Sequence, residues 1–390
     1  FSQLVELVNK NKNLWKERQG LGNATLLDKK IVHKIDTGDS QPIHQRPYNI
    51  PPAQRKIVDE HINKMLEQEV IELSRSPWAS PVVLAPKPNG GVRFCVDFRK
   101  LNEVTKKDVY PLPRATDLIE ALQGARYFST LDLLSGYWQI PMEKDSQEKT
   151  AFATHNGLYQ WKVMPFGLTN APASFQRMMD VVLAGIKWSS ALVYLDDIII
   201  YSSTFSNHLK HLQTVFDRLS EAQLILSPKK CTLCSEQVHY LGHIVSKEGI
   251  SCDPAKLEAI RDFPQPTSVT EVRSFNGLAG YYRRFIPHYS ARVSPIVELT
   301  KDKVPFIWTD MCKKSFEDIK TALQQAPVLR HPDFSRPFVV DTDACGYGIG
   351  GILMQIDDEG KEYVVAYASK KLSEAERKWT TTEQEAFAFP

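Results

Sequence analysis

Two adjacent carboxylates, Asp196 and Asp197, sit between apolar runs: Ala191-Leu192-Val193-Tyr194-Leu195 on one side and Ile198-Ile199-Ile200-Tyr201 on the other. The pattern predicts two strands joined by a tight hairpin with both acids at its tip. Like charges side by side repel, so folding alone does not favour them. Asp suits turns, and two solvated turn acids are the plain alternative. The apolar flanks, however, make the hairpin central in a sheet, where paired negative charge fits a divalent cation. A third acid, Asp132, closes the run Tyr127-Phe128-Ser129-Thr130-Leu131, whose alternation puts Thr130 and Asp132 on one face. An acid inside an apolar strand is costly unless paired or metal-bound. Three carboxylates from two neighbouring strands, completed by phosphates, are the set that two Mg²⁺ ions need.

Several elements must position these acids. Pro51-Pro52 opens a predicted helix to about Glu69, with Ile57, Ile62 and Met65 at helical spacing. Pro81 to Pro86 and Val92 to Phe98 read as strands joined by Lys87-Pro88-Asn89-Gly90-Gly91, and Asn-Gly between strands is a strong hairpin signal. Helices are predicted at 114–123, 173–183 and 206–222, with short strands at 148–154, 158–163 and 239–245. Ser268 and Glu271 form a capping box before a helix with Val272, Phe275, Ala279, Tyr282 and Phe285 on one face. A helix over 317–325 and strands within 336–369 complete an α+β order.

Composition removes some classes. The chain has 390 residues, 42% hydrophobic and 24% charged, which is ordinary globular usage. Lys and Arg number 48 against 46 Asp and Glu, so any nucleic-acid surface must come from local clustering. The longest apolar run, Ile198-Ile199-Ile200, is far short of a membrane span. Six scattered cysteines fit reduced thiols in an intracellular compartment. The chain opens on Phe1 without a signal peptide and closes at Pro390 inside a helix just begun, as expected for an excerpt of a longer polyprotein.

Five blocks then carry a resemblance. Tyr194-Leu195-Asp196-Asp197 matches the Tyr-X-Asp-Asp box of reverse transcriptases, and Leu131 to Tyr137 resembles their first catalytic block. Val96-Asp97-Phe98-Arg99-Lys100-Leu101-Asn102 resembles the fingers block, Met164 to Pro172 the block before the palm helix, and Tyr240-Leu241-Gly242-His243 the primer grip. Their order over about 150 residues argues against coincidence, and their wording is similar to gypsy-type long-terminal-repeat retrotransposon polymerases. The resemblance implies a right-hand polymerase of fingers, palm and thumb with an antiparallel palm sheet, followed by a partial RNase H-like α/β domain. The expected division is an N-terminal extension at 1–50, fingers and palm at 51–250, thumb and connection at 251–334, and a truncated RNase H-like domain at 335–390.

By this resemblance Asp132, Asp196 and Asp197 hold two Mg²⁺ ions, with Mn²⁺ able to substitute. Lys87 and Arg93 clamp the incoming triphosphate, Phe166 and Gly167 line the nucleotide pocket, and Tyr137 is the steric gate against a ribose 2′-hydroxyl. Many retroviral enzymes carry a glutamine where this chain has Phe166, so that polar contact is missing here. Leu241 and Gly242 grip the primer, while Arg273, Arg283 and Arg284 track phosphates. From Glu271 to Lys303 there are six Lys or Arg against three Asp or Glu, which suits that surface. An amphipathic core helix is the plain reading of the same aromatic spacing. Asp343 and Glu385 match two of the four RNase H metal-binding carboxylates, so no RNase H activity is expected from the excerpt alone. The implied partners are an RNA template, a DNA primer, RNA/DNA hybrid and dNTPs. Further partners are other parts of the polyprotein: a protease upstream, and the rest of RNase H and an integrase downstream. No membrane partner is expected. The implied location is intracellular and cytoplasmic, in a virus-like particle.

Two decoys are set aside. Asp36-Thr37-Gly38 imitates an aspartic-protease triplet but lacks its strongly apolar strand, and Cys231-x₂-Cys234 has no second pair at zinc spacing. Two rival readings stay open. A catalytically inactive, host-adopted nucleic-acid-binding module is opposed by the intact acid triad. An RNA-templated RNA polymerase is opposed by the bulk of Tyr137.

Overall fold

The computed structural model describes residues 2–15, 23–26, 29–87 and 90–388. They divide into two compact units, residues 1–121 with 126–235 and residues 122–125 with 236–390. In chain order the strands of the first unit are β1 (Thr25–Leu26), β2 (Lys29–Lys30), β3 (Ile71–Leu73), β4 (Ser80–Pro86), β5 (Val92–Val96), β6 (Tyr127–Asp132), β7 (Phe152–Thr154), β8 (Gly157–Trp161), β9 (Ala191–Tyr194), β10 (Asp197–Ser202) and β11 (Thr232–Ser235).

Two sheets dominate this unit. The order β3-β8-β7-β4-β5 is antiparallel except where β4 runs parallel to β7. The order β11-β6-β10-β9 is antiparallel throughout, as the resemblance implies for a palm. Central β10 carries Ile198, Ile199 and Ile200, all at most 1% exposed, so both of its faces are covered. The helix Phe205–Glu221 packs against β10, and His208, Leu212, Val215, Phe216 and Leu219 make its buried stripe. Thr204 caps it by accepting the Asn207 N–H at 3.3 Å. The helix Ala171–Val182 packs on β9 and buries Phe175, Met178, Met179 and Val182, with Pro172 in its first turn.

The second unit begins with a meander of β12 (Gln237–Tyr240), β13 (His243–Ser246) and β14 (Ile250–Cys252). The helices Pro254–Arg261, Val269–Tyr281, Tyr289–Glu298 and Asp310–Gln324 follow. A second antiparallel meander of β15 (Val339–Cys345), β16 (Gly348–Ile356) and β17 (Glu362–Lys371) leads to the helix Thr381–Ala388. The predicted inward face is buried: Val272, Phe275 and Ala279 are 0% exposed, and Tyr282 and Phe285 are 1%. The cap is a shifted box. Ser268 Oγ accepts the Glu271 N–H at 3.3 Å, while the Glu271 carboxylate reaches back to the N–H and hydroxyl of Thr267. The helix expected at 317–325 starts earlier, at Asp310, because Thr309 caps it. No helix among the described residues is long and apolar enough to cross a membrane.

Candidate active site

The register of the four-stranded sheet brings the three acids to one end of it. Asp197, the first residue of β10, lies directly opposite Asp132, the last residue of β6. Asp197 also pairs with Tyr194 of β9, so the hairpin loop is Leu195-Asp196 rather than Asp196-Asp197. One acid is on the turn and the other opens the strand, and a tip carrying both acids is corrected to that extent. Leu195 takes a left-handed φ of 52°, a conformation that suits glycine far better than leucine.

Electrostatics mark the same point. Burial first, and then the charges of Asp132 and Asp197, push the Asp196 carboxyl up to about 6. Burial and Asp132 raise Asp197 too. Asp196 Oδ1 is buried and accepts no hydrogen bond. The Lys230 ammonium stands 3.3 Å from both oxygens of Asp132. Just behind it the Cys231 thiol meets the Asp132 backbone, with the Asp132 N–H 3.4 Å from Sγ. An acid raised by burial, with an unused oxygen and like charges beside it, fits a cation site. Among the described residues no three Asp, Glu, His or Cys side chains already close into a ligand cage.

A cleft of about 530 Å³ opens beside β5. Lys87, Arg93, Phe166 and Gly167 line it together, as the sequence groups them, joined by His61 and Trp138. Arg93 pairs with Ala85 across the β4–β5 hairpin, whose tip residues Pro88 and Asn89 lie outside the described residues. Gly167 has φ 96°, which a side chain would strain. Its loop is held by Asn102, whose amide donates to the Gly167 carbonyl at 2.8 Å and accepts the Thr169 N–H at 2.9 Å. Tyr137 does not line the cleft. It is 8% exposed, and its ring stacks against Phe166 with centroids 5.0 Å apart. Burial and Asp196 raise its phenol.

In the second unit Leu241 and Gly242 form the two-residue turn between β12 and β13, both with positive φ. The Tyr281 and Tyr282 hydroxyls donate to the Leu241 and Gly242 carbonyls. The aromatic spacing thus serves two ends: Tyr282 is core, and both phenols hold this turn. Arg273 is exposed and donates to the Thr300 carbonyl at 3.2 Å. Arg283 donates to the Ser369 carbonyl on β17, so its guanidinium is engaged by a strand rather than standing open. Arg284 is half-buried. Asp343 on β15 lies 3.8 Å from His288, and Glu385 accepts the Ala344 N–H at 3.3 Å, which puts the two acids on adjoining elements. Asp36 of the protease-like triplet accepts the Gly38 N–H and pairs with Lys106, a surface turn.

Residues 85–245 match the family described as reverse transcriptase (RNA-dependent DNA polymerase). This chain carries a reverse transcriptase domain. Residues 308–389 match the RNase H-like domain found in reverse transcriptase. The Pol polyprotein of transposon opus from Drosophila melanogaster is 39% identical over 92% of this chain and 37% of that protein. That of transposon 297, from the same fly, is 37% identical over 99% of the chain and 36% of its own length. The transposon Tf2-3 polyprotein of Schizosaccharomyces pombe is 35% identical over 88% and 26%. The chain therefore spans roughly a third of the curated relatives it matches. Among solved structures, a foamy viral protease-reverse transcriptase in complex with double-stranded DNA has a TM-score of 0.86 and 29% identity over 99% of this chain and 67% of its own. The same viral protein in complex with an RNA/DNA hybrid gives 0.82 and 29%, over 99% and 52%. The α+β class and the gypsy-type resemblance both hold for this reverse transcriptase domain and the RNase H-like domain after it.

The sequence missed two polar anchors of the reverse transcriptase domain, Asn102 and Gln176. Gln176 is 0% exposed and holds the Leu195-Asp196 turn. Its signal was available: helical spacing puts it on the face of Met179 and Leu183, both fully buried.

Proposed function

We propose that the chain is the polymerising part of a retrotransposon Pol polyprotein, extending a primer 3′-hydroxyl with dNTPs on an RNA or DNA template. The observation that carries this reading is the register of Asp132 against Asp197, with Asp196 on the adjoining turn. In the reaction the 3′-oxygen attacks the α-phosphorus, a new O–P bond forms, the bond to the bridging oxygen breaks and pyrophosphate leaves. Enzymes of these families generally depend on divalent metal. Asp132, Asp196 and Asp197 would hold two Mg²⁺, or Mn²⁺, which would acidify the 3′-hydroxyl and offset triphosphate charge.

The chain's own residues supply position. Lys87 and Arg93 hold the triphosphate charges, Phe166 and Gly167 floor the nucleotide cleft, and Tyr137 backs the Phe166 ring so that the stacked pair together excludes a 2′-hydroxyl. The rigid Leu241-Gly242 turn supports the primer backbone, and Arg273 and Arg284 give phosphates positive charge, with Arg283 contributing where Ser369 leaves its donors free. Fingers and palm at 51–250, thumb and connection at 251–334 and an RNase H-like start at 335 are the proposed division, with 1–50 as an extension. Asp343 and Glu385 belong to a hydrolytic site whose activity we assign to the longer polyprotein. Its setting is intracellular, alongside protease and integrase parts.

The test is primer extension on poly(rA) with oligo(dT), dTTP and Mg²⁺. Wild type should extend. Asp196→Asn should fold normally, because a turn accepts Asn as readily as Asp, yet lose most of the rate. Equal rates would remove the acid triad from the chemistry, and an inert wild type that still binds primer–template would favour the binding-module alternative.

A further inference from the structure

We infer that Gln176 is a positioning residue that pins the Leu195-Asp196 turn in its left-handed shape. This rests on the proposed catalytic role of Asp196 and Asp197. The Leu195 N–H donates to Gln176 Oε1 at 2.9 Å, reaching from the turn to the helix Ala171–Val182. Gln176 Nε2 donates in turn to Asp180 Oδ1 at 2.9 Å and to the Val193 carbonyl of β9 at 3.3 Å. Its amide therefore clamps the hairpin on both sides of Tyr194.

Gln176 is itself fixed. Asp180 also receives the Lys187 ammonium at 2.6 Å and the Tyr110 hydroxyl at 2.8 Å. The chain of contacts runs from Lys187 and Tyr110 through Asp180 and Gln176 to the backbone that presents Asp196. A leucine at φ 52° holds that shape only where its surroundings over-determine it. A buried amide with both ends satisfied is such a determinant, and core packing alone asks for no glutamine at a position 0% exposed. If the turn relaxed, Asp196 would swing relative to Asp132 and Asp197, and small misplacements of reacting groups cost large factors in rate.

The test uses the full chain with Gln176→Met, which keeps the volume and removes all three hydrogen bonds, and Gln176→Asn, which stays polar but is one methylene too short. Hydrogen exchange resolved to single amides should show Leu195 exchanging about tenfold faster in both, with Ile198, Ile199 and Ile200 unchanged. Single-nucleotide incorporation should lose about tenfold in kcat while the KM for dNTP moves less than about twofold. Adding Leu195→Gly to Gln176→Met should recover most of that loss, because glycine adopts the turn without help. Unchanged Leu195 exchange in a folded variant would overturn the inference. So would a kcat loss that glycine fails to rescue, which would mark Gln176 as packing alone. An inert wild type would sink the catalytic reading instead, and the exchange measurement would still decide whether Gln176 pins the turn.

Discussion

Replacing His208 by Gln should flatten the acid sensitivity of the sheet that carries the acids. His208 is 0% exposed on the helix Phe205–Glu221, against β10. Its Nε2 meets Ser129 Oγ of β6 at 2.7 Å and its Nδ1 meets Ser202 Oγ of β10 at 3.0 Å. One neutral imidazole thus ties together the strands that end in Asp132 and begin at Asp197. Burial, with a smaller push from His211, lowers its pKa from 6.5 to about 4. Between those values the unfolded chain binds a proton that the folded chain refuses, so stability falls as pH falls. The full window of 2.5 units is worth about 3 kcal/mol, and stopping at pH 5 costs about 2 kcal/mol. His33, also lowered to about 4 by burial, adds a similar loss on its own.

Gln at position 208 does not titrate. The variant should start weaker at pH 7.5 by about 1–2 kcal/mol, for a less well-made hydrogen-bond pair. It should then lose about 2 kcal/mol less than wild type on going to pH 5. Urea unfolding at both pH values, followed in the first unit by exchange of the β6 and β10 amides, reads the difference. Equal losses in wild type and variant would show that His208 takes up a proton in the fold as readily as in the unfolded chain, and the reasoning from burial would fail.

Tyr137→Ala should admit ribonucleotides, and because the ring is 8% exposed under Phe166 it should also cost about 3–5 kcal/mol of stability. Tyr137→Phe should keep both the fold and the selectivity, and single-nucleotide incorporation with dNTP and rNTP checks this; a selective Ala variant would leave Tyr137 as core only. Lys230→Met should tighten Mn²⁺ binding by titration about two- to fivefold, because the 3.3 Å pair with Asp132 is 67% exposed on the lysine side and such pairs are worth about 1 kcal/mol or less. Unchanged Mn²⁺ affinity would show that Lys230 does not compete for that site.

The acids were legible because strands have a two-residue period and the flanking runs are apolar, so Asp132 and the Asp196-Asp197 pair could be placed before any register was known. Which two residues make the loop was not legible. Asp-Asp is the better turn pair by propensity, and Leu195 takes the turn only through a hydrogen bond to a glutamine 19 positions earlier. Asn102 was hidden in the same way, since its partners Gly167 and Thr169 are more than sixty residues away. The helix Tyr289–Glu298 escaped because Pro295 within it reads as a break, and His288 enters it from a left-handed φ of 53°. Arg283 reads as a phosphate contact on charge alone, and its hydrogen bond to a carbonyl of β17 was not legible because only the fold brings that strand near. Periodicity therefore finds the acids proposed for the chemistry, because burial forces them into a pattern. The groups that hold them act through single, long-range hydrogen bonds, and a buried polar residue on an otherwise apolar helix face, as at Gln176, is the one trace such bonds leave in a sequence.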